Sequence, residues 1–272
     1  MKKVLFYPVM ILLSLLFLSP VFLVLVNSFK GQFFIVDSPF SFPYGETFAG
    51  IDNYRNGIAK TNFFGAFGLS LFITVFSVAL ILLFCPMCAY YLARVRNRLT
   101  GAIYLLFTFS MIVPFQMVMF TMSKTANLLR LDNPVGILFL YLGFGSGLSV
   151  FILTGFIRSL PHELEEASCI DGCGALRTYF LIIFPLLRPT LITVAILNTM
   201  WIWNDYLLPY LVIGSDYQTI PIAVQYLQGG YGSRDMGALM ALLVLAVIPI
   251  VIFYLAAQKH IVKGIAAGAV KG

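Results

Sequence analysis

Along the 272 residues, long apolar runs alternate with short polar segments. Six runs stand out, at about 4–29, 63–93, 102–122, 135–157, 181–213 and 236–257. A bilayer-spanning helix needs about 20 consecutive, mostly apolar residues, and each run reaches that length. The pattern therefore predicts an all-α integral membrane protein with six transmembrane helices. The second and fifth runs exceed the minimum, so they are expected to tilt or to extend past the bilayer. The first run follows Met1, Lys2 and Lys3. It is longer than a signal-peptide core of about 7–15 residues and lacks an Ala-x-Ala exit. It reads as a retained first span, with Pro8 and Pro20 as kinks tolerated inside it.

The polar interruptions differ in character. Residues 30–62 are aromatic and turn-rich and read as a loop. Residues 159–189, SLPHELEEASCIDGCGALRTYFLIIFPLLRP, read as ordered. Pro161 sits where a first helical turn tolerates a missing N–H. Glu163, Glu165 and Glu166 crowd the first turns, where negative charge suits the positive end of the helix dipole. Gly172 stands where a helix would stop, Gly174 follows it, and a second short piece runs from Ala175 to Leu181. The segment predicts a helix, a sharp glycine turn and another helix at a membrane surface. The organisation expected is a first span with its loop (1–62), a membrane core (63–258) and a short tail (259–272).

Composition narrows the class. Sixty per cent of residues are hydrophobic and ten per cent charged, against about a quarter charged in a soluble domain. A net charge of +6 does not point to nucleic acid, because the cations flank apolar runs and form no basic cluster interleaved with aromatics. Their distribution sets an orientation. With the N-terminus inside, the inner segments hold eleven of the seventeen Lys and Arg residues, Arg94, Arg96 and Arg98 among them, and the outer segments six. The positive-inside rule then puts both termini and the 159–189 loop in the cytoplasm.

Candidate chemistry is sparse. Cys85-Pro86-Met87-Cys88 has a CxxC outline, but it lies inside an apolar run, where a thiol is inert. Cys169 and Cys173 with His162 make no zinc spacing and read as packing cysteines. Gly143, Gly145, Gly147 and Gly155 in the fourth run predict close helix packing, and GFGSG there lacks the Lys and strand context of a phosphate loop. No Walker sequence occurs, so if ATP drives this protein another subunit, with its Mg, hydrolyses it, and no cofactor or metal is expected in this chain. Gln116, beside Pro114 in the third run, reads equally as an interhelical hydrogen bond or as a pore-lining amide. Asn198, Trp201, Asn204 and Asp205 lie toward the end of the fifth run. Asp205 comes about 36 Å past Leu181 at 1.5 Å per residue, near the outer boundary of a bilayer. An aromatic belt explains that group, and so does sugar recognition by ring stacking and hydroxyl hydrogen bonds.

Four stretches carry a resemblance. Glu166-Ala167-Ser168, then Gly172, Ile182 and Phe184-Pro185, resembles the EAA loop of ABC importer permeases, with Ser168 and Phe184 as departures. Trp203-Asn204-Asp205-Tyr206 resembles a W-N-[DE]-[FY] stretch of the carbohydrate branch, and Phe48 to Tyr54 a segment that precedes its core. Residues 261–272 resemble the tail of the maltose-type second permease subunit. The resemblance implies a MetI-like importer permease in a bacterial inner membrane that moves sugars or oligosaccharides. Glu163, Glu166, Ala167, Ser168, Asp171, Gly172 and Pro185 would form a coupling loop between helices 4 and 5, with Lys263, Gly264 and Gly268 facing the ATPase. A lipid-headgroup anchor is the other reading of that tail. Implied partners are a second permease in a heterodimer, two ATP-binding-cassette subunits, an extracytoplasmic sugar-binding protein and membrane lipid. An ion-coupled secondary transporter is the alternative. It fits less well, because acids within the spans are nearly absent and no internal repeat is visible.

Overall fold

The computed structural model describes residues 2–214, 216–227 and 235–269, with side chains over 6–259 of these. Gln228, Gly229, Gly230 and Arg234 of the last outer loop lie outside the described residues, as do the side chains of Lys263, Gly264 and Gly268. Among the described residues, the regular elements are helices. In chain order they are α1 (Lys2–Asn27), α2 (Gln32–Asp37), α3 (Asp52–Thr61), α4 (Phe63–Arg94), α5 (Arg98–Ile112), α6 (Phe115–Leu128) and α7 (Gly136–Arg158). There follow α8 (Glu163–Ile170), α9 (Ala175–Thr178), a π-helical turn (Tyr179–Ile183), α10 (Phe184–Leu186), α11 (Arg188–Asn204), α12 (Leu207–Val212), α13 (Ile220–Tyr226) and α14 (Met236–Ala269).

Four stretches are each long and apolar enough to cross a bilayer: Phe6–Asn27, Phe63–Arg94, Gly136–Arg158 and Met236–Lys259. The third and fifth apolar runs are not single straight helices. The third breaks into α5 and α6 at an angle of 108°. Proline disfavours the helical conformation in the residue before it; Val113 (φ −73°, ψ 115°) and Pro114 (φ −62°, ψ 135°) are both extended. Gln116 is thereby moved from mid-span to the first turn of α6. The fifth run starts earlier than hydropathy suggests, at Ala175, and bends by 72° between Ala175–Leu186 and Arg188–Asn204. Pro185 and Pro189 each remove a backbone donor there. The run also ends earlier, at Asn204, with α12 separate. Counting each bent pair as one crossing gives six. The last helix runs past residue 257 to Ala269, so Lys263, Gly264 and Gly268 lie on helical backbone.

The chain divides into two compact units, residues 1–68 with 218–251 and residues 69–217 with 252–272. In the first, the end of α1 is clasped by the Phe48–Tyr54 stretch. Asn53 Nδ2 donates to the carbonyls of Ser28 (2.8 Å) and Lys30 (2.7 Å), and the Tyr54 and Ser28 hydroxyls share a hydrogen bond of 2.7 Å. The Phe29 ring stacks on Phe48. Lys60 pairs with Asp235. Burial presses the Asp235 carboxyl upward, but the Ala238 N–H and the Lys60 ammonium outweigh it and hold the carboxyl below the usual range. A depressed carboxyl adds stability above its unfolded value of about 4 and loses it as pH falls through the lower folded value. Replacing Asp235 with Asn should therefore cost up to about 1 kcal/mol at neutral pH, and the deficit should close on acidification below about pH 4. Thermal midpoints of both proteins against pH check this.

In the second unit the core gathers Ile81 and Ala89 of α4, Ile137, Tyr141, Leu153 and Ile157 of α7, and Ile183 and Leu187 around the bend, all fully buried. Lipid tails are as apolar as these side chains, so close contact rather than water exclusion holds such helices together. Two of the four glycines expected to pack closely do so. A Cβ on Gly145 would lie 2.6 Å from Ile81 Cδ1 and 2.7 Å from Asn198 Oδ1, and one on Gly147 would lie 2.5 Å from Ser110 Oγ. Gly143 and Gly155 face open space.

Candidate functional site

The loop between α7 and α10 is built by local signals. The N–H groups of Glu165 and Glu166 donate to the His162 carbonyl, at 2.9 and 3.2 Å, which starts α8. At the other end Gly172 N donates to Cys169 O and Cys173 N to Ser168 O, both at 3.0 Å. Gly172 has φ +80°. This pair of bonds about a left-handed residue is the Schellman closure, which satisfies carbonyls that a helix end leaves open. Gly174 by contrast has φ −74°, an ordinary value.

The closed loop has two faces. Glu163, Glu166, Ala167, Cys169, Ile170 and Asp171 are exposed, Ile170 at 86% and Leu176 beyond the turn at 69%. An acidic face with an exposed isoleucine at its tip is thus held away from the body of the loop. The inner face carries Glu165 and Ser168. The Ser168 and Thr178 hydroxyls meet at 2.8 Å. Glu165 accepts from Arg94 Nε at 2.6 Å and from the Tyr90 hydroxyl at 2.9 Å. Sequence reasoning grouped Ser168 with the exposed residues of the loop, whereas it is buried against Thr178, and it missed the grip of Tyr90 and Arg94 on Glu165. The readable signal was spacing: Glu165 and Ser168 are three apart on one helical stripe, while Glu163, Glu166 and Ile170 form another. Cys169 is exposed, which corrects its reading as a packing cysteine, while Cys173 is half-buried. Pro185 is exposed at the bend.

The aromatic-amide group at the end of α11 divides in the same way. Asn198 is buried and donates to Ser149 Oγ (3.1 Å) and to its own helix at Val194 O (2.9 Å), so it ties α11 to α7. Asp205 accepts from the Tyr141 hydroxyl at 3.1 Å and from Leu207 N at 3.0 Å, which anchors the start of α12. The Trp201 ring meets Tyr141 edge-on at 5.5 Å and is 40% exposed. Asn204 is exposed, with Nδ2 on Met200 O at 2.7 Å. Gln116 is exposed on α6. Asp205→Ala would strand the buried Tyr141 hydroxyl, at a cost of about 1–3 kcal/mol. Tyr141→Phe on the Ala background should restore part of that loss in thermal midpoint. A groove of about 430 Å³ beneath the α5–α6 break is lined by Leu106, Phe109, Val113, Phe139 and Phe144, with Ser110 its hydroxyl. That lining offers a hydroxyl-rich solute few partners. Among the described residues, no three His, Cys, Asp or Glu side chains converge to hold a metal.

Residues 86–267 match the family model described as "Binding-protein-dependent transport system inner membrane component", and the chain belongs to this family of ABC importer permeases. A probable starch degradation products transport system permease protein, AmyC of Thermoanaerobacterium thermosulfurigenes, is 44% identical over 262 residues, covering 96% of this chain and 94% of that one. The multiple sugar-binding transport system permease protein MsmG of Streptococcus mutans is 37% identical over 263 residues, covering 95% and 93%. The fold matches a chain in the crystal structure of a bacterial ABC transporter involved in import of the acidic polysaccharide alginate, with TM-score 0.75, 22% identity and 95% of both chains covered. This chain is therefore a multi-pass inner-membrane permease.

Proposed function

We propose that this chain forms half of the translocation pathway of an ATP-driven importer of sugars or oligosaccharides, with α8 as the helix that docks on a separate ATPase. The observation that carries the reading is the loop itself. Its acidic, isoleucine-tipped face is exposed, its inner face is tied down, and Gly172 fixes the turn between them. Sugar as cargo is supported by the names of the relatives, which include the melibiose/raffinose/stachyose import permease MelC of Bacillus subtilis at 32% identity. Cation asymmetry supports cytoplasmic termini, and counting each bent pair as one span gives the six crossings. A second permease would complete the pathway, and a binding protein outside would deliver the sugar. Two ATPase subunits inside would hold ATP and Mg.

In this cycle closure of the ATPase pair moves the two docked helices together, and the membrane helices rock as rigid bodies to open outward. No residue of this chain undergoes covalent chemistry. Trp201 and Asn204 are the pathway residues best placed for a sugar, with a ring face for stacking and an exposed amide for hydroxyls; Gln116 is also exposed. Asn198 and Asp205 hold the scaffold behind them. Lys263, Gly264 and Gly268 would extend α14 toward the ATPase.

The test is uptake of labelled maltotriose, raffinose and diacetylchitobiose into vesicles bearing the chain with its second permease, ATPase and binding protein. Import of at least one sugar should require ATP and survive a proton or sodium ionophore. Import abolished by the ionophore and indifferent to an inactive ATPase would identify an ion-coupled transporter instead.

A further inference from the structure

We propose that Arg94 and Glu165 form the rigid joint through which a displacement of α8 reaches α4, making both positioning residues for coupling. This rests on the reading of α8 as the ATPase-docking helix. By covalent connection alone, α8 is joined to α7 through residues 159–162 and to α9 through residues 171–174. Both links are turns at which the helical hydrogen-bond ladder stops.

A third connection is non-covalent and better defined. Both carboxylate oxygens of Glu165 are held from one helix: Oε1 by Arg94 Nε at 2.6 Å and Oε2 by the Tyr90 hydroxyl at 2.9 Å. Tyr90 and Arg94 are four residues apart, so they project from successive turns of the same face of α4. Two grips at two heights fix the direction of the carboxylate as well as its position. The same guanidinium reaches back with Nη2 to the Leu160 carbonyl at 3.3 Å, and Nη1 lies 3.5 Å from His162 Nε2. One planar group thus spans the helix and the link that precedes it, which a compact lysine ammonium does not do.

The joint is sheltered. The Arg94 and Glu165 side chains are 10% and 17% exposed, so water and salt screen the pair weakly. The Tyr90 ring also packs on Tyr179 at 5.3 Å, and the Ser168–Thr178 contact ties the next turn of α8 to α9. The inner face of α8 is therefore held by the end of the second span and by the start of the fifth, while Glu163, Glu166 and Ile170 stay free on the other face. A partner that pulls on the free face moves the end of α4 with it.

The experiment compares the unaltered transporter, Arg94→Met, Glu165→Gln and the exchange Arg94→Glu/Glu165→Arg as assembled complexes in vesicles. It measures ATPase co-purification and the labelled sugar imported per ATP hydrolysed, using whichever of the three sugars the unaltered complex takes up. The ATPase should still co-purify with both single variants, sugar per ATP should drop about tenfold or more, and the exchange should recover part of it. An unchanged ratio in Arg94→Met overturns the joint. An unaltered chain that never binds an ATPase overturns the docking reading, and the joint with it. A second arm covers variants that fold poorly: Arg94→Cys/Glu165→Cys on a Cys169→Ser/Cys173→Ser background, bridged by a short bifunctional thiol cross-linker. A rigid joint predicts that bridging restores coupling relative to the unbridged protein. Bridging that stops transport would show that α8 slides past α4 during the cycle and would overturn the proposal.

Discussion

Gly172→Val is expected to cut ATP-driven uptake about tenfold or more while leaving the protein inserted in the membrane. Gly172 has φ +80°, and nothing lies within 4 Å of where its Cβ would stand. The harm is therefore backbone strain and not collision. A left-handed conformation costs an ordinary residue about 1–2 kcal/mol, and a β-branched residue adopts it least readily. The loop escapes that strain by abandoning the Schellman closure, which lets Cys169 O and Ser168 O lose their partners and swings the tip bearing Ile170. At about 1.4 kcal/mol per factor of ten, uptake should fall about tenfold or more. Gly174→Val is the matched control. It lies two residues on, in equally open space, with φ −74°, and should transport nearly normally. Uptake with each variant at equal membrane content decides the point, and equal loss from both would show that the loop tolerates no valine anywhere.

The second large effect falls on stability. Gly136→Ala should destabilise the folded permease although it adds one methyl group. That Cβ would lie 2.4 Å from both Cα and the carbonyl oxygen of Leu131. These are backbone atoms, so no rotamer change relieves the contact. Leu131 is itself fixed, since its N–H donates to Ala126 O at 2.8 Å just after Arg130 at φ 55°. Asn133 Oδ1 accepts from Gly136 N at 2.9 Å across the same turn. Overpacking costs about 1–3 kcal/mol and sometimes more, and a backbone contact belongs at the upper end. Gly143→Ala, on the same helix but facing open space, should be near neutral. Thermal midpoints of both variants in detergent test the contrast.

The sequence carried what is local in this fold. Each apolar run contains a helix, because a bilayer demands length and apolarity and both are written residue by residue. The ends of α8 were legible for the same reason, since the three glutamates and Gly172 act within one turn of where they stand; Pro161 falls ahead of the His162 cap and outside the first turn where the sequence put it. The breaks were less legible. Pro114 and the pair Pro185 and Pro189 marked the places, but an apolar run has one hydropathy whether straight or bent. Arg94 was visible only as a cytoplasmic marker, because its partner Glu165 lies 71 positions away. Asn198 shows the converse difficulty. An amide in an apolar run suits a pathway or a helix contact, and only the Ser149 hydroxyl beside it reveals the contact.

Cys169 offers the most direct measurement of the central claim. It is exposed on α8, while Cys85 is buried and Cys88 and Cys173 are partly covered. A membrane-impermeant maleimide should label Cys169 in inside-out vesicles, and a bound ATPase should protect it. Labelling in sealed right-side-out vesicles instead would put the acidic helix outside the cell, out of reach of any ATPase, and would contradict the account.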